Sequence, residues 1–493
     1  MPRTLISQTP ELVGQQVAIS GWIDARRDMG KIVFLDIRDR TGLLQVVCVP
    51  GVPVHTGAVH PPTPPLPAGG GEKKNNFSPS LREGEREGVG LKDLRPGFVL
   101  RIEGLIKARS EKAINPKLET GRIELEAKEI AVLATSQPFP FDATKELGLD
   151  TYLDHLPFAL RTPRARAIFK VQAEIVEAFR AFLRSQGFTE FQCPKLVGSS
   201  TEGGAEVFTV DYFGKPAFLA QSPQFYKQIM LGVFERVFTV GNVYRAEPHA
   251  TTRHLNEYTS LDLEMGFIED HRDIMRVQND LLIAMVAHLR ATCGAYFLSP
   301  SSRGGVGGGE GANGTPLFNV VLPDVPLNIP SVKLREAQKI LEKEFGIKCL
   351  GEPDLEPEHE RKLCEWSAKT HNSDFLFVTH YPTKKRPMYT FPDPEDPEFT
   401  RSFDLLFRGV EITTGGQRIN DYEMLRGNII KWGLNPEKFK YYLEAFQYGM
   451  PPEGGLAIGL ERLTAKFLGI DNVKEATLFP RDIGRIDERL STN

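Results

Sequence analysis

Two β-type runs that flank one polar loop constrain the fold of this chain more than any other segment. The runs are Val237–Tyr244 and Tyr258–Phe267, and the loop between them carries Arg245, Arg253 and His254. Two guanidinium groups and an imidazole that face one another across a short gap suit a polyphosphate. A solvated hairpin with surface charges fits the same residues, so this segment alone does not decide between the two interpretations.

A second segment, Gly454–Arg462, runs from a glycine-rich strand straight into a helix predicted to start near Leu460. Glycines let a flat ring approach the backbone closely. Arg462 lies in the first helical turn, where anionic groups are favoured. Glycines at a strand–helix junction also serve packing alone, so the pattern gains weight only beside the arginine loop.

Together the two segments resemble the second and third signature motifs of class II aminoacyl-tRNA synthetases. Five blocks in the same order resemble aspartyl-tRNA synthetases of the archaeal and eukaryotic type. The blocks are TEGGAEVF (201–208), QSPQFYKQ (221–228), FERVFTVGNVYRAEPHATTRHLNE (234–257), SFDLLFRGVEITTGGQR (402–418) and YGMPPEGGLAIGLERL (448–463). The resemblance implies an ATP-dependent ligase that forms aspartyl-AMP from L-aspartate and transfers the aspartyl group to tRNA(Asp). It leaves open whether tRNA(Asn) is charged as well, and it implies Mg²⁺ as cofactor and a cytoplasmic homodimer.

The resemblance also implies roles for single residues around the nucleotide. Arg245 and Arg462 are the expected catalytic residues. Arg245 would hold the α-phosphate and the attacking carboxylate together, and Arg462 would lie against the adenine face with its charge near the γ-phosphate. Glu247 would receive the adenine amino group, and Arg253 and His254 would reach the outer phosphates. The full expected ATP-binding set is Arg245, Glu247, Arg253, His254, Leu255, Glu411, Gly459, Leu460, Glu461 and Arg462.

The block SFDLLFRGVEITTGGQR predicts a hairpin that turns at Arg408-Gly409. The opposed pairs are then Phe407 with Val410, Leu406 with Glu411, and Asp404 with Thr413. Asp404 and Glu411 lie diagonally on one face, about 7 Å apart at Cβ, a span that Mg²⁺ can bridge. The resemblance independently implies Asp404 and Glu411 as metal ligands and adds Thr414, which stands where the family commonly has serine. Surface carboxylates are the alternative interpretation.

Two cations mark the predicted pocket for the amino acid. Lys227 lies three residues after Gln224, on one face if the segment is helical, and Arg418 follows a Thr-Thr-Gly-Gly stretch. Two converging cations favour a dicarboxylate, because neutral asparagine would leave a buried cation unpaired. The aspartate-binding set that the resemblance implies is Glu202, Gln224, Lys227, Arg245, Thr414 and Arg418. The related asparaginyl enzymes generally lack this lysine.

The first segment of the chain reads as short strands punctuated by glycine, without a long helix. The predicted strands are Gln16–Ile23, Ile32–Asp36, Leu43–Val49, Phe98–Ile106 and Arg122–Val132. This pattern predicts a small closed barrel of the OB type, a fold that often binds single-stranded nucleic acid. The resemblance implies that Arg27, Phe34 and Gln45 contact the tRNA anticodon, with Glu124 as a weaker candidate.

The predicted fold class is therefore α+β: an OB-type barrel, then an antiparallel sheet flanked by helices. The barrel domain spans 1–134, with a low-complexity insertion at 50–90 that we expect to be disordered. A linker follows at 135–160, and the catalytic domain spans 161–493 with a flexible loop at 299–315. Helical spacing predicts a long helix over Arg164–Gln186, which would form the dimer interface in the family and pack in the core otherwise.

Composition excludes some classes of protein. The longest apolar stretch, Leu281–Leu289, is interrupted by His288 and is too short to span a bilayer. The five scattered cysteines predict reduced thiols, and the net charge of −4 neither favours nor excludes an RNA partner. Two alternatives stay open at this point: an asparaginyl enzyme of the same fold, and a non-enzymatic RNA-binding paralogue.

Overall fold

The computed structural model describes residues 1–56, 89–116, 118–142, 145–198, 207–248, 251–299 and 316–486. Most of the predicted 50–90 insertion, nearly all of the 299–315 loop, and Glu202 lie outside these residues. The described chain forms two compact units, residues 1–145 and the residues from 146 onward. No helix in the described ranges is long and apolar enough to cross a membrane.

The first unit is the predicted OB-type barrel. Alternating burial along each strand puts one row of aliphatic side chains, such as Leu35, Val46 and Ile102, into the closed interior. The strands are β1 Gln16–Asp28, β2 Val33–Arg38, β3 Leu43–Cys48, β4 Val54–Thr56, β5 Val99–Ala108 and β6 Ile123–Ala134. They pair in the order β3-β2-β1-β5-β6, and a parallel β3–β6 pairing closes the barrel while β4 joins β6 at its end.

The outer face of the barrel carries the three residues predicted to contact the anticodon. Phe34 is half-buried, belongs to no core cluster of the described residues, and lies beside Arg27 in the β1–β2 register. Arg27 donates two hydrogen bonds to Asp36, at 2.6 and 2.9 Å, and one to Gln45 Oε1 at 3.2 Å. Gln45 Nε2 in turn donates to Glu124 at 3.1 Å. The face therefore presents one aromatic ring beside an amide whose orientation is fixed at both ends.

An eight-stranded sheet forms the centre of the second unit. Its strands are β7 Thr189–Glu190, β11 Arg236–Tyr244, β12 Glu257–Gly266, β13 Ser331–Lys333, β14 Phe375–Thr379, β15 Ser402–Phe407, β16 Val410–Arg418 and β17 Glu453–Gly459. A separate three-stranded sheet holds β8 Leu196–Val197, β9 Thr209–Tyr212 and β10 Lys215–Leu219. The large sheet runs in the order β13-β14-β15-β16-β17-β12-β11-β7. Its six central strands are antiparallel, as predicted, whereas the edge strands β13 and β7 pair in parallel.

Helices flank this sheet. They are α1 Leu149–Asp154, α2 Leu156–Ala159, α3 Pro163–Ser185, α4 Gln224–Phe234, α5 His271–Cys293, α6 Leu334–Phe345, α7 Pro357–His371, α8 Tyr422–Lys431, α9 Lys440–Gln447 and α10 Leu460–Leu468. The predicted helix over 164–186 is α3, and Gly187 follows it at φ +78°. Ile168, Val171 and Ile175 of α3 are buried in the largest hydrophobic core, together with apolar residues of α5 and α10.

His271 begins α5 and is buried against a second imidazole. Its ring lies 5.3 Å from the ring of His380 in an edge-to-face arrangement. Burial, reinforced by the neighbouring His380, lowers the pKa of His271 to about 4. The folded protein therefore holds this side chain neutral in a range where an unfolded chain would already protonate it.

We expect acidification from pH 6.5 to 4 to reduce the free energy of unfolding, because the unfolded state binds more protons in that window. His271→Gln should remove up to about 3 kcal/mol of this loss, the amount that corresponds to the lowered pKa of the buried imidazole. Urea unfolding at several pH values measures it, with the exposed His371→Gln as control. Equal pH slopes in wild type and His271→Gln would contradict the assignment.

Candidate active site

One cavity of about 450 Å³ in the second unit gathers most of the predicted site residues. It lies over β12, β16 and β17, between α4 and the loop that joins β11 to β12. The predicted residues that line it are Gln224, Lys227, Arg245, Glu247, Arg253, His254, Leu255, Glu411, Thr414, Arg418, Gly459, Glu461 and Arg462. Asp404 and Leu460 do not line it, and the Leu460 side chain packs in the hydrophobic core. Lys385 and Arg386 also line it, and no sequence signal had singled them out.

Hydrogen bonds within the β11–β12 loop hold its cations around the cavity. Asn256 Nδ2 donates to the carbonyl oxygens of Arg245 and Glu247, at 2.7 and 3.1 Å, and so fixes the backbone of the loop. The Arg245 guanidinium lies 3.6 Å from Glu247 and above the Tyr258 ring. His254 Nδ1 is 2.6 Å from Thr251 Oγ1. The loop therefore places basic side chains along the edge of the cavity, with the acidic Glu247 beside Arg245.

The strand–helix junction from β17 into α10 begins at the predicted position. Both carboxylate oxygens of Glu461 accept the Thr259 N–H, at 3.0 and 3.1 Å, which ties α10 to β12, and burial raises the pKa of Glu461 to about 7. Arg462 donates to the carbonyl oxygens of Arg253 and Glu411, each at 3.3 Å. Arg462 thus links the loop of β11–β12 to strand β16.

The glycines of this junction divide into two groups. A Cβ on Gly455 would collide with Leu263 O and with the Glu264 carboxylate, so packing alone requires glycine there. A Cβ on Gly459 would meet nothing closer than the Arg462 side chain at 3.8 Å, and Gly459 faces the cavity. Only Gly459 therefore fits the interpretation that a glycine opens the backbone to a ligand.

The hairpin of β15 and β16 turns at Arg408-Gly409 as predicted, with φ of +46° and +81°, values that suit a two-residue hairpin turn. The predicted pairing of Asp404 with Thr413 was wrong. A β-bulge at Ile412 shifts the register, so that Thr413 opposes Leu405 and Thr414 opposes Asp404. The extra residue brings Thr414 to the same face as Glu411, which strict alternation along the strand would not do.

The three residues predicted to bind metal consequently share one face. Thr414 Oγ1 donates to Glu411 Oε1 at 2.7 Å, and Arg386 donates to Asp404 Oδ2 at 2.6 Å. The other oxygen of Asp404 is buried and has no hydrogen-bond partner among the described residues. Burial and the neighbouring Glu411 raise the pKa of Asp404 to about 7, against the influence of Arg386. An orphaned oxygen beside further oxygen donors fits a hard divalent cation such as Mg²⁺.

A second cluster of ligand-type side chains lies outside the cavity. Cys349, Glu352 and His359 each place one potential ligand atom within 4.8 Å of the others. However, His359 Nδ1 already accepts the Glu356 N–H at 3.1 Å, and burial raises the pKa of the Cys349 thiol. A bound metal would therefore have to displace the hydrogen bond to His359 and deprotonate the Cys349 thiol.

The two cations of the predicted amino-acid pocket, Lys227 and Arg418, are paired with carboxylates. This corrects the argument that asparagine would leave a cation without a partner. Lys227 is buried and lies 2.9 Å from Asp262 Oδ1 and 3.1 Å from Glu264 Oε2. Arg418 Nε donates to Glu264 Oε1 at 2.8 Å. Burial alone would raise the pKa of Glu264, but Arg418 and Lys227 hold it below its usual range. The sequence offered no sign of Asp262 and Glu264 as partners, because they sit in β12 within an ordinary strand pattern.

A further buried carboxyl group, that of Glu453, completes this cluster. Glu453 is fully buried, and burial together with Glu264 raises its pKa well above the usual range. Gln228 donates to Glu453 at 2.7 Å and accepts from the Tyr442 hydroxyl at 2.8 Å. The raised pKa favours the neutral form of Glu453, which limits the repulsion between Glu453 and Glu264.

Comparisons with known proteins agree with this geometry. The family described as tRNA synthetases class II (D, K and N) matches residues 149–483, and the family described as OB-fold nucleic acid binding domain matches residues 17–86. The chain is 43% identical to the Aspartate--tRNA(Asp/Asn) ligase of Deinococcus radiodurans, over 99% of each chain. It is 43% identical to the enzyme of the same name from Thermus thermophilus, over 98% of this chain and 99% of that one. Among solved structures, asparaginyl-tRNA synthetase from Pyrococcus horikoshii complexed with asparaginyl-adenylate matches with a TM-score of 0.79 and 29% identity, over 99% of each chain.

Glu264→Gln should destabilise the second unit by about 3 kcal/mol, because breaking a buried ion pair leaves an uncompensated charge. Lys227 and Arg418 would both lose a charged partner in this variant. Urea unfolding measures the effect, and Glu269→Gln, an exposed glutamate just beyond β12, serves as the control. A loss no greater than that of the control would show that the cluster contributes nothing to stability.

Proposed function

The chain belongs to the class II tRNA synthetases (D, K and N), and we propose that it activates L-aspartate with ATP and transfers the aspartyl group to tRNA. The activity is that of an aspartate–tRNA ligase. We propose tRNA(Asp) and also tRNA(Asn) as acceptors, because relatives that are 43% identical carry both in their names.

One observation carries this proposal beyond the family. A single cavity is lined both by Arg245 and Arg462, the cations expected to contact ATP, and by Lys227 and Arg418, which would bind the side chain of the amino acid. A nucleotide and an acidic amino acid can therefore meet in the same space. Proximity of this kind is the main requirement of the reaction, because activation needs positioning and charge stabilisation more than a covalent catalyst.

In the first step a carboxylate oxygen of aspartate attacks the α-phosphorus of ATP, and the bond to pyrophosphate breaks. We assign to Arg245 the stabilisation of the charge that builds on the α-phosphate. Arg253 and His254 would contact the outer phosphates, and Arg462 would cover the adenine. In the second step a ribose hydroxyl at the 3′ end of tRNA attacks the aspartyl carbonyl, and AMP leaves.

Mg²⁺ would be held by Asp404, Glu411 and Thr414, and it would neutralise phosphate charge when bound. The orphaned oxygen of Asp404 supports this set.

We also propose a homodimer through α3 and β7, since β7 ends the sheet and pairs on one side only within the described chain. We propose a cytoplasmic location, because enzymes of this kind act in translation.

Aminoacylation of tRNA(Asp) and tRNA(Asn) transcripts with labelled aspartate, and separately with asparagine, tests the proposal. We expect aspartate to be transferred to both tRNAs and asparagine to neither. Transfer of asparagine alone would favour the alternative of an asparaginyl enzyme, which the structural likeness to such an enzyme makes the main competitor. Absence of any transfer or of ATP–pyrophosphate exchange would indicate a non-enzymatic paralogue.

Lys227→Leu sharpens the same test. It should lower kcat/KM for aspartate-dependent ATP–pyrophosphate exchange by about 100-fold or more, because a cation within a buried charge cluster is lost. In an asparaginyl enzyme the same change would remove no contact to the substrate side chain, so a variant that stays folded would lose much less activity. The exposed Lys431→Leu is the matched control, and thermal melting of both variants checks the fold.

Phe34→Ala tests the barrel as the tRNA-binding unit. It should raise the KM for tRNA by about tenfold, since a stacked base contributes about 1–3 kcal/mol. ATP–pyrophosphate exchange without tRNA should stay unchanged, because Phe34 lies in the first unit. Leu133→Ala, an exposed apolar residue of β6, is the control. An unchanged KM for tRNA in Phe34→Ala would remove Phe34 from the interface.

A further inference from the structure

Glu360 is a buried carboxylate on α7 that no sequence motif marks. It does not line the cavity, and its side chain is 4% exposed. Its two oxygens accept from the two Nη atoms of Arg253, at 3.1 and 3.0 Å, which is the bidentate geometry of a strong pair. The Oε2 atom also accepts the backbone N–H of Glu411 at 3.1 Å. One carboxylate thus touches both the β11–β12 loop and strand β16.

These contacts form a closed ring with those of Arg462. Arg462 donates to the carbonyl oxygens of Arg253 and Glu411, while Glu360 holds the Arg253 side chain and the Glu411 N–H. Arg253 and Glu411 are therefore fixed relative to each other from two sides. Arg253 and Glu411 are also the residues expected to meet the outer phosphates and the metal.

We propose that Glu360 is a positioning residue for ATP, one that pre-orders Arg253 and Glu411 without touching the nucleotide. This inference rests on the proposed function of the cavity. A free arginine side chain samples many rotamers. Pairing with Glu360 removes that freedom before ATP arrives, so less of it is lost on binding. Glu360 uses one N–H of each Nη, and a guanidinium has five N–H donors, so Arg253 keeps donors for a phosphate.

The test compares Glu360→Gln with Glu358→Gln, an exposed glutamate in the same turn of α7. A glutamine keeps the size of the side chain but turns an amide donor toward Arg253 or the Glu411 N–H. We expect the KM for ATP in aspartate-dependent exchange to rise about 10- to 100-fold, as for the loss of one partner of a buried charge pair. The KM for aspartate should stay within about twofold of wild type, and Glu358→Gln should change neither value by more than about twofold.

A double-mutant cycle separates positioning from a merely structural role. Added to Arg253→Ala, the Glu360→Gln change should raise the KM for ATP by less than about threefold further, because the charged pair with Arg253 is already absent and only the hydrogen bond from the Glu411 N–H is still affected. Additive effects, equal rises in KM for both substrates, or an unchanged KM for ATP in Glu360→Gln would overturn the proposal.

Glu360→Asp covers the case in which the glutamine variant does not fold. The aspartate keeps the charge with a shorter reach, so its KM for ATP should lie between wild type and Glu360→Gln. If neither variant folds, Glu360 has a structural role and the proposal fails. In a wild type that binds ATP without exchange activity, the proposed function fails, and the same comparison on the Kd for MgATP by calorimetry still decides on Glu360.

Discussion

The buried carboxylate of Glu264 is the contact on which the end of the cavity near Lys227 and Arg418 depends. It projects from β12 and receives Arg418 from β16 at 2.8 Å and Lys227 from α4 at 3.1 Å. None of the three charges could be buried alone, since an uncompensated ion in the interior costs several kcal/mol. Their pairing therefore fixes how α4, β12 and β16 sit together. Glycine at Gly455 follows from the same arrangement, because a side chain there would take the space of the carboxylate.

The face that carries Asp404, Glu411 and Thr414, the expected metal ligands, depends on a β-bulge in β16. The bulge at Ile412 adds one residue to β16, so Glu411 and Thr414 both lie on the face of Asp404. Thr413 is turned to the opposite face, where its hydroxyl accepts from Gln278 of α5 at 2.6 Å. A regular strand could not serve both faces with these residues. The bulge thus reconciles packing against α5 with the placement of Asp404, Glu411 and Thr414 on one face.

Much of the fold could be predicted because it depends on patterns between residues that are close in the sequence. The five main barrel strands, α3 and the turn at Arg408-Gly409 follow from alternation, helical spacing and turn chemistry, and the structure confirms them. The bulge could not be predicted, since nothing in a run of strand residues says where one is inserted. The charge partners were missed for a different reason. Arg418 and Glu264 are 154 residues apart, and Arg253 and Glu360 are 107 apart, so only the tertiary structure brings them together.

The paired cations change how the pocket would distinguish aspartate from asparagine. With Lys227 and Arg418 already neutralised by Asp262 and Glu264, asparagine would leave no cation unpaired. What remains is the chemistry of the donors, because an ammonium has three N–H groups, a guanidinium has five, and neither can accept a hydrogen bond. Lys227 already lies within reach of Asp262, Glu264 and the Leu456 carbonyl oxygen, so the donors left for a substrate carboxylate are chiefly the Nη groups of Arg418. The amide nitrogen of asparagine would set its own N–H groups against the N–H donors of Arg418, and such a mismatch lowers affinity. In the proposed aspartate pocket, Asp262 and Glu264 would therefore serve specificity by holding the two cations in position.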